Sequence, residues 1–209
     1  MSGSSEELID SAETICEEEP LYYSSDKVYT YSDYLELPDE ECYYYEILDG
    51  CLIREPAPTK LHQRVSRRIQ RILEDYFWQR DPNAEVFDSP IDLILSDTNV
   101  VQPDLVYAPE DSDDIDPHGI TVIPHLVVEV ISPSTGRKDR FEKLGVYSRA
   151  RVPHYWIVDP RQQTLEAFRL AKPGEYHLCS NAEGNEVFTH PDFPGLAIQL
   201  DVLWRKGRL

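Results

Sequence analysis

The stretch HLVVEVISPSTGRKDRFEKLGVYSRARVPHYWIVDP, from His125 to Pro160, contains the pattern on which the predicted fold rests. It begins with an apolar run typical of a buried strand, yet Glu129 stands in the middle of that run. Ser-Pro-Ser-Thr then precedes a predicted helix at about Arg137–Ala150, and a second apolar run ends at Pro160. A strand, a helix and a strand in this order indicate a crossover connection within a sheet.

A lone carboxylate in a buried strand costs several kcal/mol unless it is paired or binds a metal. A second acid, Asp104, stands in VVQPDLVYAP (Val100–Pro109), another predicted strand in which Pro103 marks an edge or a distortion. If these two strands are neighbours, the carboxylates lie close together, so that either one is protonated or a cation lies between them. Oxygen ligands suit Mg²⁺ or Mn²⁺, and the backbone carbonyl of Val130 offers a third oxygen.

The helix that follows Glu129 supplies a candidate cation. Asp139, Lys143 and Tyr147 are four residues apart and share one helix face. If this helix packs over the strand ends, Lys143 reaches the acidic site, where it would orient an attacking water and stabilise charge. Spacing alone favours the simpler interpretation, a surface salt bridge between Lys143 and Asp139.

The rest of the chain predicts one domain of mixed α/β (α+β) class. YYYEILDGCLIREP (Tyr43–Pro56) predicts two strands joined at Asp49-Gly50. Lys60–Gln79 is the clearest helix. Short strands follow Pro160, the last of them in GLAIQLDVLW (Gly195–Trp204). This order predicts a mixed central sheet flanked by helices.

The helix Lys60–Gln79 carries a cationic face beside its apolar face. At 100° per residue, five cations fall together: Lys60, Arg64, Arg67, Arg68 and Arg71. One interpretation is a solvated helix surface, and the alternative is a stripe that contacts nucleic-acid phosphates. The stripe is of interest because it concentrates positive charge in a chain whose formal net charge is -19.

Residues 1–26 contain eight acids and no lysine or arginine, so we interpret them as a mobile acidic tail that precedes a domain of residues 27–209. An acidic field repels nucleic acid at long range, so binding requires a local basic surface or a bound cation. Solubility alone also explains the acidity.

The composition indicates a cytoplasmic protein. No apolar run approaches the roughly 18 residues that span a bilayer, and the N-terminus lacks the apolar core of a secretory signal. The four cysteines show no metal-ligand spacing and are predicted to be reduced thiols.

Several segments together resemble the PD-(D/E)XK nuclease superfamily and, more closely, the bacterial Uma-two family, whose members are described as restriction endonucleases. The matching segments are YEILDG (Tyr45–Gly50), the helix with His62, QPDLVY (Gln102–Tyr107), VVEVISPST (Val127–Thr135), DRFEKLGVY (Asp139–Tyr147) and VPHYWIVDP (Val152–Pro160). The resemblance covers about residues 28–205. The linked set is specific, whereas Pro-Asp alone would be a weak signal.

The resemblance implies a restriction-endonuclease-like fold and a metal site at Asp104 and Glu129. It matches Glu46 to an acid on an early element, which supports this metal or a second one. The superfamily's simplest motif has a lysine two residues after the glutamate, where this chain has Ile131. The resemblance to the Uma-two family implies that Lys143 has taken over this role.

Asp139 and Tyr147 are candidates for supporting roles, as are Gln102 and His62. Gln102 lies two residues before Asp104 and is predicted to project from the same strand face. Lys138 competes with Lys143 but lies off the shared helix face. His62 is either a satisfied boundary histidine, a partner of Glu46 or a phosphate contact. The other histidines show no ligand spacing: His118, His125, His154, His177 and His190.

The leading hypothesis is a Mg²⁺- or Mn²⁺-dependent endonuclease that cleaves nucleic acid, with DNA favoured, as a homodimer. Glu46, Asp104, Glu129 and Lys143 would form its site. The alternative is a nuclease-like module that binds nucleic acid without cleaving it, which the net charge and Ile131 favour. A small-molecule hydrolase is a third hypothesis, because the site does not specify the leaving group.

Overall fold

The computed structural model describes residues 20–23, 26–40, 42–83, 85–108, 115–116, 119–132 and 135–206. Its helices are α1 (Tyr31–Tyr34), α2 (Lys60–Phe77), a π-helix (Lys138–Lys143) that continues into α3 (Leu144–Arg149), and α4 (Asp201–Trp204). Its strands are β1 (Leu21–Tyr23), β2 (Tyr43–Leu48), β3 (Cys51–Pro56), β4 (Glu85–Asp88), β5 (Leu93–Ser96), β6 (Asn99–Val101), β7 (Leu105–Ala108), β8 (Ile115–Asp116), β9 (Gly119–Ile120), β10 (Leu126–Val130), β11 (His154–Asp159), β12 (Thr164–Lys172), β13 (Glu175–Glu183), β14 (Val187–His190) and β15 (Phe193–Gln199).

The central sheet has six strands in the order β13-β12-β11-β10-β7-β4. β10 and β11 are parallel, whereas the other neighbouring strands are antiparallel. Parallel neighbours require a crossover connection, which the π-helix and α3 provide between β10 and β11. The predicted mixed sheet with one crossover helix is therefore confirmed.

A second sheet has seven strands in the order β1-β3-β2-β6-β5-β9-β8, and β14 and β15 pair separately. The predicted hairpin is β2–β3, in which Leu48 lies opposite Cys51. Its turn residues Asp49 and Gly50 have φ values of 49° and 77°. Positive φ at both positions is what a type I′ turn requires, and the Asp-Gly pair tolerates it.

Helices cover both faces of the central sheet. α2 packs on one face, where its Ile69 joins a core that includes Trp156. α3 packs on the other face, where its Tyr147 joins a core with Tyr155. That second core also contains Ile53 of the seven-stranded sheet, so the two sheets and α3 meet along one buried seam.

Three predicted boundaries differ from the structure. VVQPDLVYAP, predicted as one strand, forms β6 and β7 in different sheets, because Pro103 lacks the N–H that a continuous ladder needs. The end of the last predicted strand forms α4 instead. The predicted tail lies mostly outside the described residues, but Leu21–Tyr23 within it form β1, which pairs with β3.

Arg68 does not belong to the exposed cationic stripe of α2. Its side chain is buried, and Nη1 donates to the carbonyls of Val202 at 2.8 Å, Leu203 at 3.1 Å and Arg205 at 2.7 Å. The carbonyls at the end of α4 have no partner within so short a helix, so Arg68 supplies the donor. The predicted phosphate contact of Arg68 is therefore wrong, whereas Lys60, Arg67 and Arg71 are exposed.

The Arg68→Leu substitution is expected to lower the free energy of unfolding by about 2–3 kcal/mol, because it removes charged hydrogen bonds to buried carbonyls. Chemical denaturation measures this change. Arg67→Leu on the exposed neighbour is the matched control and is expected to change stability by at most about 0.5 kcal/mol. Equal effects of the two substitutions would contradict the assignment.

No disulfide joins the cysteines within the described residues, namely Cys42, Cys51 and Cys179. In the described part of the chain, none of the helices has both the length and the apolar character needed to cross a membrane.

Candidate active site

The candidate site lies on the seam between the two sheets. Leu105 of β7 pairs with Val128 of antiparallel β10, so Asp104, just before β7, stands opposite Glu129. The Asp104 carboxylate oxygen Oδ2 accepts a 2.7 Å hydrogen bond from the Val130 N–H. The structure thus brings together Asp104, Glu129 and the backbone of Val130, the three metal ligands predicted on these strands.

His62, in the first turn of α2, contacts Asp104 rather than Glu46. Its Nε2 lies 3.0 Å from Asp104 Oδ2. Burial lowers the pKa of His62, but the charge of Asp104 and the backbone of Val130 outweigh this effect and raise it overall. His62 therefore fixes the start of α2, and with it the cationic stripe, next to the two acids.

Glu129 is almost fully buried. Its Oε1 accepts two hydrogen bonds of 2.8 Å, one from Lys143 Nζ and one from the Tyr147 hydroxyl. Burial, only partly offset by the charge of Lys143, raises the pKa of Glu129 to about 8. Glu129 is thus a poorly solvated carboxyl whose ionised form needs additional positive charge.

Lys143 bridges two carboxylates on different sheets, since its Nζ also lies 2.8 Å from Glu46 Oε1. Asp139 Oδ1 is farther away, at 3.9 Å, and is itself buried. A surface salt bridge between Lys143 and Asp139, the simpler interpretation of the sequence, is therefore wrong. Although burial opposes it, the charges of Glu129 and Glu46 raise the pKa of Lys143 well above its usual value, so its ammonium group stays charged.

Lys138, which α-helical periodicity directs away from this face, points into the same seam. Its Nζ lies 2.6 Å from Glu46 Oε2 and also contacts Glu55 Oε1. In a π-helix the hydrogen bond runs from residue i to i+5, so Lys138 and Lys143 stand about one turn apart on one side. In an α-helix they would point about 140° apart.

Glu46 holds both lysines. Burial opposes ionisation, but the charges of Lys138 and Lys143 lower the pKa of Glu46 to about 2. The Gln102 N–H donates a further hydrogen bond of 2.9 Å to Glu46 Oε1. Because each oxygen of Glu46 contacts a lysine, the structure favours lysine alignment over metal binding for this residue.

The side-chain NH₂ group of Gln102 donates to residues other than Asp104 and Glu129. Its Nε2 donates to the Tyr34 hydroxyl at 3.1 Å and to Asp92 Oδ1 at 2.8 Å. The predicted support from the Gln102 side chain is therefore wrong. Gln102 supports the site through its backbone N–H alone.

Glu55 is a site residue that is absent from the candidates predicted by the sequence. Its side chain is fully buried, and its Oε2 has no hydrogen-bond partner among the described residues. Burial raises the pKa of Glu55. A signal was present in the sequence, since Glu55 stands two residues after Ile53, on the same strand face as a buried apolar residue.

The site contains more acids than cations. Five carboxylates face two lysines, so three negative charges remain uncompensated when all are ionised and His62 is neutral: Glu46, Glu55, Asp104, Glu129 and Asp139 against Lys138 and Lys143. A divalent cation beside Asp104 and Glu129 would offset this excess. The donor set therefore fits Mg²⁺ or Mn²⁺.

Without divalent cations, Glu129 is expected to make the free energy of unfolding fall as pH rises from about 4.5 to 8. The folded state retains the proton over this window while the unfolded state has lost it, and each such proton contributes about 1.4 kcal/mol per pH unit. Denaturation of wild type and Glu129→Gln in chelator, at several pH values, measures this slope. The variant should show a shallower fall, and parallel curves would contradict the prediction.

Comparisons with known proteins relate this chain to a family model, to a cyanobacterial protein and to a crystal structure. A family model described as "Uma2: Putative restriction endonuclease" matches residues 31–202. The uncharacterized protein slr1290 of Synechocystis sp. is 25% identical over 175 residues, covering 83% of this chain and 90% of that protein. The crystal structure of a putative nuclease belonging to DUF820 from Anabaena variabilis has a TM-score of 0.66 at 18% identity, covering 84% of this chain and 97% of that one. The fold expected from the sequence is thereby confirmed.

Proposed function

The chain belongs to the Uma2 (Uma-two) family of putative restriction endonucleases, and from this premise we propose that it is a Mg²⁺- or Mn²⁺-dependent endonuclease that cleaves DNA. The observation that carries the proposal is Lys143 Nζ, 2.8 Å from Glu129 Oε1. Ile131 occupies the position at which the simplest nuclease motif has its lysine. The following helix nevertheless brings a lysine to the glutamate.

In the proposed mechanism, Asp104, Glu129 and the Val130 carbonyl would hold the cation. When bound there, a divalent cation would act as a Lewis acid on the scissile phosphoryl group. Lys143, whose raised pKa keeps it charged, would orient the attacking water and stabilise the charge that develops on the phosphoryl group. Tyr147 and Glu46 keep Lys143 and Glu129 in place through the contacts described above.

The cationic stripe, reduced to Lys60, Arg64, Arg67 and Arg71, is proposed to hold the nucleic-acid backbone. It begins beside His62, which contacts Asp104, and runs along α2 for about 16 Å at 1.5 Å per residue. Phosphates next to the acids would therefore meet positive charge in a protein with a net charge of -19. The N-terminal end of α2 adds the favourable end of its helix dipole.

Replacing Arg67 and Arg71 by alanine is expected to weaken DNA binding and to reduce its salt dependence. The slope of log K against log salt should fall by about 0.9 for each phosphate that the protein no longer neutralises. Fluorescence anisotropy at several salt concentrations, in chelator to prevent metal-dependent cleavage, measures both quantities. The double variant Arg149→Ala/Lys172→Ala removes the same charge from exposed positions elsewhere, and an equal effect in this control would contradict the proposed stripe.

A second candidate function is a module that binds nucleic acid without cleaving it. The observation that favours it is the pair of donors on Glu129 Oε1, which already holds Lys143 and Tyr147. Both candidates predict salt-sensitive binding to nucleic acid. Only the first predicts metal-dependent turnover.

We further propose that the protein is a homodimer and that it is located in the cytoplasm. Two copies would supply two sites for the two strands of a duplex, and the predicted thiols suit a reducing compartment. Light scattering coupled to size-exclusion chromatography measures the mass, and a single-chain mass at every protein concentration would contradict the homodimer.

The test of the function is cleavage of supercoiled plasmid and of RNA by the full chain in Mg²⁺, Mn²⁺ or chelator. Nicking or linearisation of plasmid with either ion, and none in chelator, is the expected result. Cleavage of RNA but not of plasmid would identify RNA, rather than DNA, as the substrate. Binding without cleavage in either ion would favour the second candidate, and neither binding nor cleavage would reject both.

A further inference from the structure

A second group of metal-ligating side chains lies outside the candidate active site. His154 begins β11, His190 ends β14 and Asp192 stands in the turn between β14 and β15. One potential ligand atom from each residue lies within 4.8 Å of the others. The sequence does not reveal this group, because the two histidines are 36 residues apart and the fold alone brings them together.

This group is separate from Glu129 in both position and sheet face. His154 pairs with Leu126, whereas Glu129 pairs with Ile157 three residues further along β11. At about 3.3 Å per residue, the two positions are about 10 Å apart along the strand. Because side chains alternate between faces, His154 points to the α2 face and Ile157 to the α3 face.

Both imidazoles are in the form that binds metals. Burial lowers the pKa of His154. Burial and the neighbouring His154 lower the pKa of His190 to about 4. Both rings are therefore neutral at pH 7, and a neutral ring nitrogen is the usual histidine ligand for zinc.

The polar atoms around the two rings are incompletely satisfied. His154 Nδ1 is buried and has no hydrogen-bond partner among the described residues. A buried nitrogen without a protein partner is costly unless a water or an ion satisfies it. His190 Nδ1 accepts the Asp192 N–H at 3.1 Å, so the proton of the neutral ring is on Nε2, and Zn²⁺ would bind at Nδ1 by displacing that N–H. The Nε2 of His190 lies 3.2 Å from the sulfur of Cys179 on β13.

We propose that His154, His190 and Asp192 form a transition-metal site that takes Zn²⁺. Two imidazole nitrogens and a carboxylate oxygen suit zinc, whereas Mg²⁺ and Ca²⁺ prefer oxygen ligands alone. Ligand atoms around zinc lie about 3–3.5 Å apart, because each is about 2 Å from the ion. Rotation of the exposed Asp192 side chain would shorten the distances from its carboxylate to the two rings.

Asp192 must leave its present partner, Arg169, to reach the ion. Their contact is 3.2 Å long, and about half of the Arg169 side chain is exposed. Exposed ion pairs contribute at most about 1 kcal/mol, so this exchange opposes zinc binding only weakly. The bound ion would join the separate β14–β15 sheet to the start of β11 and so stabilise the folded chain by mass action.

The test uses the full chain after removal of metals with chelator. Zn²⁺ is titrated against a competing chromophoric chelator, and Co²⁺ serves as a spectroscopic probe of tetrahedral coordination. We expect one Zn²⁺ per chain and a higher Tm when it is bound. His154→Gln and Asp192→Asn should each weaken Zn²⁺ binding at least tenfold, while His190, which is buried, is left intact so that the fold is preserved.

Two controls separate this site from other zinc ligands. His177→Gln removes an exposed histidine that contacts Glu175 at 2.8 Å, a similar pair outside the proposed site. Glu129→Gln alters the candidate active site. Both controls should keep the wild-type Zn²⁺ affinity. Unchanged affinity in His154→Gln and Asp192→Asn, or loss of the Zn²⁺ site in Glu129→Gln, would overturn the proposal.

Discussion

Glu129→Gln and Asp104→Asn are each expected to lower metal-dependent cleavage by about 10³-fold or more, because each removes a charged ligand of the proposed cation. The folded structure should survive both changes. The amide oxygen introduced by Glu129→Gln can still accept hydrogen bonds from Lys143 and Tyr147. The amide oxygen introduced by Asp104→Asn can likewise accept the Val130 N–H. The loss should therefore appear in activity and metal binding, without a collapse of the Tm.

Cleavage rates and Mg²⁺ or Mn²⁺ calorimetry on the same protein samples provide the measurement. Glu74→Gln, an exposed carboxylate on α2, is the matched control and should keep wild-type activity. Full cleavage by either site variant would exclude that carboxylate from the catalytic centre. Loss of activity with a collapsed Tm would point to a structural role instead.

Lys138→Met is expected to give the largest loss of stability, about 3–5 kcal/mol, because it leaves buried Glu55 without a cation and buried Glu46 with Lys143 alone. Lys138 contacts Glu46 and Glu55, both of them fully buried. Adding Glu55→Gln to Lys138→Met should recover part of the loss, since the double variant carries one fewer uncompensated acid. A double-mutant cycle measured by chemical denaturation gives this coupling.

The control for Lys138 is Lys172→Met, which breaks an exposed pair with Glu175. Exposed pairs of this kind contribute at most about 1 kcal/mol. If Lys138→Met costs no more than Lys172→Met, the buried network does not stabilise the fold. If Glu55→Gln adds to the loss instead of reducing it, Glu55 is not the partner that Lys138 compensates.

Several elements were predictable because their signals are local. The Asp-Gly turn of β2–β3, the apolar face of α2 and the buried run of β10 depend on residues close together in the chain. The placement of Asp104 beside Glu129 followed from the two strands that carry them. The residues whose predicted roles the structure corrected are those whose partners lie far away in the sequence.

Lys138 and Arg68 illustrate the limit of helical periodicity. An ideal α-helix directs Lys138 away from Lys143, but the π-helix turns both toward the seam. Periodicity places Arg68 on the cationic face of α2, yet α4, more than 130 residues later, covers that position and accepts its hydrogen bonds. Neither local helix geometry of this kind nor a distant partner is encoded in residue spacing.

The sequence by itself determined the mixed fold, the crossover helix and the acids Asp104 and Glu129, because turn chemistry and apolar periodicity act over a few residues. Only the tertiary structure decided which cation meets which acid. It brought Glu46 and Glu55 of one sheet against Lys138 and Lys143 beside the other. The physical reason is that a buried charge takes its partner from whatever element packs against it, and that packing joins segments far apart in the chain.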